Sequence, residues 1–260
     1  MSVHDMNFGL AHMKSFSLYL YLFLHSVSCA AQDKVITFSY WSEVGLPFIF
    51  LGNKNSNDID SGLVKDLAEL IADRLQAIPR LVNILVQRTN SQLLSGAIDL
   101  NCITNPIWKQ TPDDFYWSPA LFKGVDRFLV KPANKHELVV FDDLKGKVLA
   151  VYNGYTYHPK IMEMIAKGDI DTVKVSGIDQ GIKLLLLDRI NALIDFDIIL
   201  DYKIKNEFSD QLALADLYAE HYDLFCAYSK KTAFDKTQLD KVFKDLISQG
   251  EITKLLDRYN

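Results

Sequence analysis

Strand-like and helix-like stretches take turns along this chain, and that alternation leaves few architectures open. Val35 to Tyr40 is β-branched and aromatic, and the Gly45 and Pro47 that follow end it. Gly62 to Gln76 carries Leu63, Leu67, Leu70, Ile71 and Leu75 on one helical face, with Lys65, Asp66, Glu69 and Asp73 mostly on the other. Ser61 stands where a helix cap is expected. Arg80 to Gln87 then reads as a strand, Ser91 to Ser95 as a short helix ended by Gly96, and Ile98 to Ile103 as a strand. A β, α, β, α, β order predicts a parallel sheet covered by helices on both faces.

The pattern then starts over. Arg127 to Lys131 and Lys147 to Tyr152 read as strands, and a helix opens at Pro159 and closes at Gly168, the expected end signals. Val173 to Val175 is a strand, Gln180 to Leu187 a helix, Ala192 to Asp195 a strand, and Phe196 begins a further helix. Tyr222 to Tyr228 is strand-like, and helices at Lys236 to Ser248 and Ile252 to Tyr259 follow, parted by Gly250. Two series with no Gly/Pro-rich linker between them predict two lobes joined by extended strands.

With 260 residues, 49% of them apolar, the chain can fill the cores of both lobes. Its 33 acidic and 28 basic side chains leave a net charge of -5, and no basic run is long enough to attract a phosphate backbone. Nucleic acid is therefore excluded as the expected partner.

Lys14, the apolar run Phe16 to Leu24 and the small residues Ser26 to Ala31 have the layout of a secretory signal peptide, with cleavage after Ala30 or Ala31. A membrane-spanning anchor needs about 20 apolar residues, and His25 and the serines interrupt this run. The stretch before Met13 holds Asp5 and no Lys or Arg, so Met13 is an alternative start to Met1. Lipid anchoring through Cys29 is the minor alternative, because Ser26 stands where such motifs prefer a branched apolar residue. Export permits a disulfide between Cys102 and Cys226, and two buried free thiols are the equal alternative.

Several short motifs recur in a fixed order: Pro47-Phe48, Gly62-Leu-Val-Lys-Asp66-Leu67, Gly96-Ala-Ile-Asp99, Trp117-Ser118-Pro119, Asp143-Leu-Lys-Gly-Lys147, Asn153-Gly154-Tyr155, Asp188-Arg-Ile-Asn-Ala192 and the tail Gly250-Glu-Ile to Tyr259. In that order and spacing they resemble the type II periplasmic solute-binding family, the branch serving polar amino-acid ABC importers. The resemblance runs from Val35 to Tyr259. It implies an α/β fold of two Rossmann-like lobes with a two-crossover hinge. Residues 1–31 are then a signal peptide, 32–125 plus 219–260 the first lobe and 126–218 the second, with crossings near Gly124 to Arg127 and Ala219 to Tyr222. It further implies a monomeric periplasmic receptor that gives a small polar solute to an inner-membrane permease, or presents its closed form to a signalling partner.

The same resemblance directs attention to four cleft segments: Tyr40 to Phe48, Ile103 to Thr111, Tyr152 to Tyr157, and the strand end at Asp195. The expected binding residues are Tyr40, Trp41, Phe48, Thr104, Trp108, Lys109, Thr111, Tyr152, Gly154, Tyr155, Thr156 and Asp195. Gly154 lets a backbone approach a ligand or makes an ordinary turn, and N–H groups at the Pro159 helix start are candidates to receive a ligand oxygen. Trp108 either lines the cleft or packs inside, whereas Trp117 is expected in the core.

Two departures from the family pattern stand out. Amino-acid binders of this kind place a carboxylate-clamping Arg seven residues before the Ser that matches Ser118; here the residue is Thr111, which cannot supply a charged fork. Lys109 is the substitute on offer. The ammonium-pairing Asp falls on Phe196, flanked by Asp195 and Asp197, and Asp195 is either that anchor or a helix cap. The expected ligand is therefore an amino acid, an amine or a derivative.

Catalytic motifs are missing: no Gly-x-Ser-x-Gly, no His-Glu-x-x-His and no phosphate-cradling loop. His136, His158 and His221 are scattered, which argues against a metal, and no cofactor is expected. His158 caps the Pro159 helix or is the one acid–base candidate. The expectation is a binding protein and not an enzyme.

Overall fold

The structure, a computed structural model, describes residues 33–52 and 59–259. The expected leader, with Cys29 and both candidate starts, lies outside the described residues.

The first half opens with β1 (Lys34–Tyr40), whose last five residues are buried. Helix α1 (Leu63–Leu75) follows and buries Leu63, Leu67, Ala68, Ile71, Ala72 and Leu75. Each fully buried Leu or Ile contributes about 1.5–3 kcal/mol relative to exposure, so this face fixes the helix to the sheet. The cap differs from expectation. Gly62 occupies it at φ 124, while Ser61 pairs with Phe50 in an isolated bridge. A Cβ at Gly62 would lie 2.5 Å from the carbonyl oxygen of Phe48, so the close chain crossing there requires glycine.

β2 (Ala77–Asn83) begins three residues before the expected strand and ends four before it. Pro79 sits within β2, which is tolerated because β2 is the edge of the sheet. The residues expected to finish that strand instead start α2 (Val86–Ser95), which buries only Thr89 and Leu93. Two buried positions are too few to display a helical period in sequence. β3 (Leu100–Thr104) comes next, then β4 (Phe115–Trp117), which was not expected, and β5 (Phe122–Val130), which starts five residues before the expected strand.

The second half is β6 (Val148–Tyr152), α3 (Pro159–Lys167), β7 (Asp171–Val175), α4 (Ile178–Leu186), β8 (Ala192–Phe196) and α5 (Asp197–Asn206). Pro159 opens α3 and Gly168, left-handed, closes it, as the sequence predicts. The long strand β9 (Ala213–Ser229) then returns to the first half, where α6 (Lys236–Ser248) and α7 (Glu251–Asp257) finish the chain.

Strand order is β2-β1-β3-β9-β5-β8-β6-β7, with β4 alongside β9. β1 is parallel to β2 and β3, and β6 is parallel to β7 and β8. Between these parallel groups run two antiparallel strands. The C-terminal end of β9 pairs with β3 and β4, and its earlier part pairs with β5, which also pairs with β8. The two βαβ series are therefore linked by hydrogen bonds through β9, in a two-lobed α/β fold. The main core joins Ile36, Leu67 and Phe243 to Leu193 and Leu200, while a second cluster gathers Phe128, Leu149, Ile161 and Ala215.

Cys102 in β3 and Cys226 in β9 face each other in register and form a disulfide that joins residues 124 apart in sequence. This decides between the two thiol states left open by sequence. A cross-link closing so long a loop restricts the unfolded chain. Replacing both cysteines by serine should lower the unfolding free energy by about 2–4 kcal/mol, read from urea melts beside the oxidised protein. Equal midpoints would show that the bond does not stabilise the fold.

Candidate functional site

The ends of β1, β3 and β8 and the loop after β6 surround a cavity of about 670 Å³. Strand C-termini converging on a crevice are where open α/β sheets bind ligands. Ser39, Tyr40, Trp41 and Phe48 form one wall, and Asn101 to Thr104 with Trp108 to Thr111 form the next. Gly154 to Tyr157, Ile194 to Phe196 and Asp126 stand opposite, and α2 contributes Gln87, Asn90, Ser91 and Leu94.

The walls touch each other. The Trp41 ring lies 5.8 Å from the rings of both Tyr152 and Tyr155. Gln87 Nε2 donates to the carbonyl oxygen of Asn153 at 3.0 Å. Gly154 adopts φ 85, and a Cβ there would lie 2.9 Å from Gln87 Cγ. Asn153-Gly154 is thus both a turn and a close approach, and what meets it is the facing wall.

Of the expected binding residues, all except Tyr152 line the cavity. Tyr152 lies beneath, and its hydroxyl donates to Asp195 Oδ2 at 2.6 Å. Tyr157, in turn, accepts the Tyr152 N–H at 2.7 Å and holds the loop against the strand. Trp108 sets its ring 5.2 Å from Tyr222 and 6.0 Å from Phe196, so the indole is a cavity wall. Trp117 packs with Phe115 as core, as expected, and donates Nε1 to Pro112 O.

Two expectations change. The Pro159 helix start does not offer its first N–H to a ligand, because Lys160 N donates to His158 Nδ1 at 3.1 Å and α3 does not line the cavity. His158 is the helix cap, its ring stacked on Phe141 and its Nε2 3.1 Å from Glu220. Asp195 is not the cap of α5; Phe196 holds that position, without a side-chain capping bond, and Asp195 accepts the Phe196 N–H at 2.8 Å.

Sequence reasoning did not single out Asp126, Ser39, Asn101 or the α2 residues, all of which line the cavity. One signal was available for Asp126: a carboxylate in the middle of the apolar strand Phe122 to Val130. The α2 residues gave none, because Gln87 reads as the end of a strand and Ser91 and Leu94 as part of an ordinary short helix.

The charges in the cavity are strongly perturbed. Asp195 is buried, and desolvation raises its pKa to about 7 against the lowering effect of bonds from Tyr152 and Phe196 N–H. Asp126 is buried too, and desolvation, followed by the nearby carboxylates of Asp195, Asp197 and Glu220, raises its pKa to about 8. Burial lowers Lys109 to about 8, and its ammonium donates to Asn101 Oδ1 at 3.3 Å. The hydroxyls of Tyr152 and Tyr155 are pushed well up by burial, so both are neutral donors. The cavity thus offers an ammonium, two carboxyl groups and aromatic faces suited to a polar or cationic ligand. No described residues form a group of three His, Cys, Asp or Glu able to hold a metal, and no described helix is long and apolar enough to cross a membrane.

Both carboxyls have folded pKa values above the unfolded one, so their contribution is complete below about pH 4 and is lost as pH rises through 7 to 8. The thermal midpoint of the ligand-free protein should fall from pH 5 to pH 8, and the D126N/D195N double variant should flatten that fall. A wild-type midpoint that is level or rising across the window would contradict the burial of both groups.

No family model matches the chain. It is 25% identical over 231 residues to the L-glutamate/L-aspartate-binding protein of Pseudomonas aeruginosa, covering 84% of this chain and 74% of that one. Among solved structures, an amino acid ABC transporter substrate-binding protein from Streptococcus pneumoniae bound to L-arginine aligns with TM-score 0.70 at 22% identity, over 86% of this chain and 94% of the other. The ligand-binding core of GluR0 from Nostoc punctiforme in complex with glutamate aligns with TM-score 0.68 at 17% identity, over 87% and 99%. An ancestral amino-acid-binding protein described as a precursor of cyclohexadienyl dehydratase aligns with TM-score 0.70 at 19% identity, over 86% and 95%.

Proposed function

We propose that this chain, a solute-binding protein with the two-lobed fold of the type II periplasmic binding proteins, closes around an amino acid, an amine or a derivative and delivers it to an ABC permease in the inner membrane. The observation that carries this reading is the cavity itself, walled by loops of both βαβ series in mutual contact. In this reading the protein works as a monomer in the periplasm, after loss of residues 1–31. Its lobes are residues 32–125 plus 219–260 and residues 126–218. The register shift between Asp126 and Arg127 in the β5–β9 pairing supports a hinge at that crossing.

Trp41, Trp108 and Tyr155 pack against the solute, Thr104 and Thr111 donate or accept hydrogen bonds, and Asp195 receives its ammonium. Thr111 leaves a ligand carboxylate without a bidentate fork, so Lys109 meets it as a single point charge. The ligands bound in the similar solved structures, arginine and glutamate, are the first compounds to try.

A thermal-shift screen of amino acids and amines against residues 32–260 tests the proposal. A binder should raise the midpoint with its concentration, and Trp108→Ala and Asp195→Ala should each remove the rise. A silent screen, or variants that respond like the parent, would reject the cavity as the binding site.

A second reading, an enzyme on the same fold, has one observation in its favour. Two cavity carboxyls poised near pH 7 to 8 could exchange protons with a substrate, and one structural neighbour is a precursor of a dehydratase. Mass spectrometry of any binder after long incubation separates the readings, because a receptor returns it unchanged.

A further inference from the structure

Asp126 lies in the hinge strand β5, is buried to all but 8% of its surface, and faces the cavity. No described residue gives it a hydrogen bond or an ion pair. The groups around it are acidic or neutral: Asp195 from β8, Asp197 from α5, Glu220 and Tyr222 from β9, and Tyr155 and Tyr157 from the loop after β6. His158 Nε2 lies 3.1 Å from Glu220 Oε2. Arg127, next in the chain, donates instead to the carbonyl oxygen of Ala215 and does not line the cavity. Lys109, also in the cavity wall, donates to Asn101 Oδ1 at 3.3 Å and forms no ion pair with either carboxyl.

A buried carboxylate among other acids, with no donor, is costly unless it is protonated or meets a cation. The neighbouring anchor is better satisfied, since Asp195 already accepts from Tyr152 and from the Phe196 N–H. The group able to satisfy Asp126 has to come from the cavity. Around it stand Trp108, Phe196 and Tyr155, faces that favour an organic cation over a small hydrated ion.

We propose that Asp126 is a binding residue which, with Asp195, cradles the cationic group of the solute, so that the protein selects basic solutes, amines or guanidines, over neutral and acidic ones. This rests on the solute-binding reading and names its ligand class. Binding a cation requires the carboxyls to ionise, so a proton leaves the site as the solute enters. Cation affinity therefore rises with pH through the range in which Asp126 and Asp195 titrate.

Isothermal titration with arginine, agmatine, putrescine, glutamine and glutamate, each at pH 6, 7 and 8 in buffers of different ionisation enthalpy, tests this. The expected result is binding of a basic compound with proton release at pH 6 and 7, and affinity that grows with pH by up to about tenfold per unit. Asp126→Asn should weaken that binding by about ten- to a hundredfold and cut the proton release, with its thermal midpoint checking that it is folded. Should that variant be unfolded, proton release by the parent protein decides alone. Binding of glutamine or glutamate in preference to the bases would overturn the proposal and leave the solute-binding reading intact. Binding of a base with no proton release would also overturn it, and if no compound binds, both readings fall.

Discussion

β9 and β5 run antiparallel from Val130 and Ala213 to Phe122 and Leu224, and everything else hangs from that ladder. Without it the two parallel groups of strands share no backbone hydrogen bonds. β9 is long enough to serve both, meeting β5 along most of its length and β3 and β4 at its end. Its burial alternates, with Ala215, Leu217, Ala219, Tyr222 and Leu224 inward, so one strand contributes side chains to both halves. A parallel sheet cannot connect its halves so directly, because each parallel step needs a crossover of its own. Two extended strands thus carry the chain out and back and leave the strand ends of both halves facing one cavity.

The disulfide reinforces the same place. Cys102 lines the cavity and Cys226 is fully buried on β9, so the bond ties the cavity floor to the strand that links the halves. Asp126 lies on the other member of the ladder. Asp126 and Asp195 are thus mounted on the paired strands β5 and β8, while Lys109 and the aromatic rings of Trp41 and Tyr155 belong to loops. In the proposed reading, the strand-borne carboxyls set the geometry of the solute and the loop aromatics exclude water from it.

Electrostatics in the cavity run against stability. Burial opposes the charge of both carboxyls, neighbouring carboxylates oppose that of Asp126 further, and an ammonium is held where burial opposes its own. A core built only for folding would exchange such groups for apolar ones at little loss. In the proposed reading, a cationic solute entering this aromatic-lined cavity supplies the partner that Asp126 lacks.

Much of this was legible in the sequence. Period and end signals define α1, α3, α6 and most strands, because apolar spacing reports directly which face of an element is buried. The cleft loops were also legible, through motif order, and eleven of the twelve expected positions line the cavity, Tyr152 supporting it from below. What tertiary structure alone decided was whatever depends on a distant neighbour. α2 begins at Val86, five residues before the expected helix; Thr89 and Leu93 are its only buried positions, and the apolar pattern of its first turns is thin. The early part of β9 is a strand although its outward residues are charged, since β5 supplies the ladder. Cys102 and Cys226 are bonded because β3 and β9 set them in register. Asp126 is a cavity residue because β5 is paired with β8 and β9, which set it beside Phe196 and Glu220 at the cavity wall. Local sequence reports which side of an element is apolar; what lies against that side is fixed only when residues a hundred positions apart are brought together.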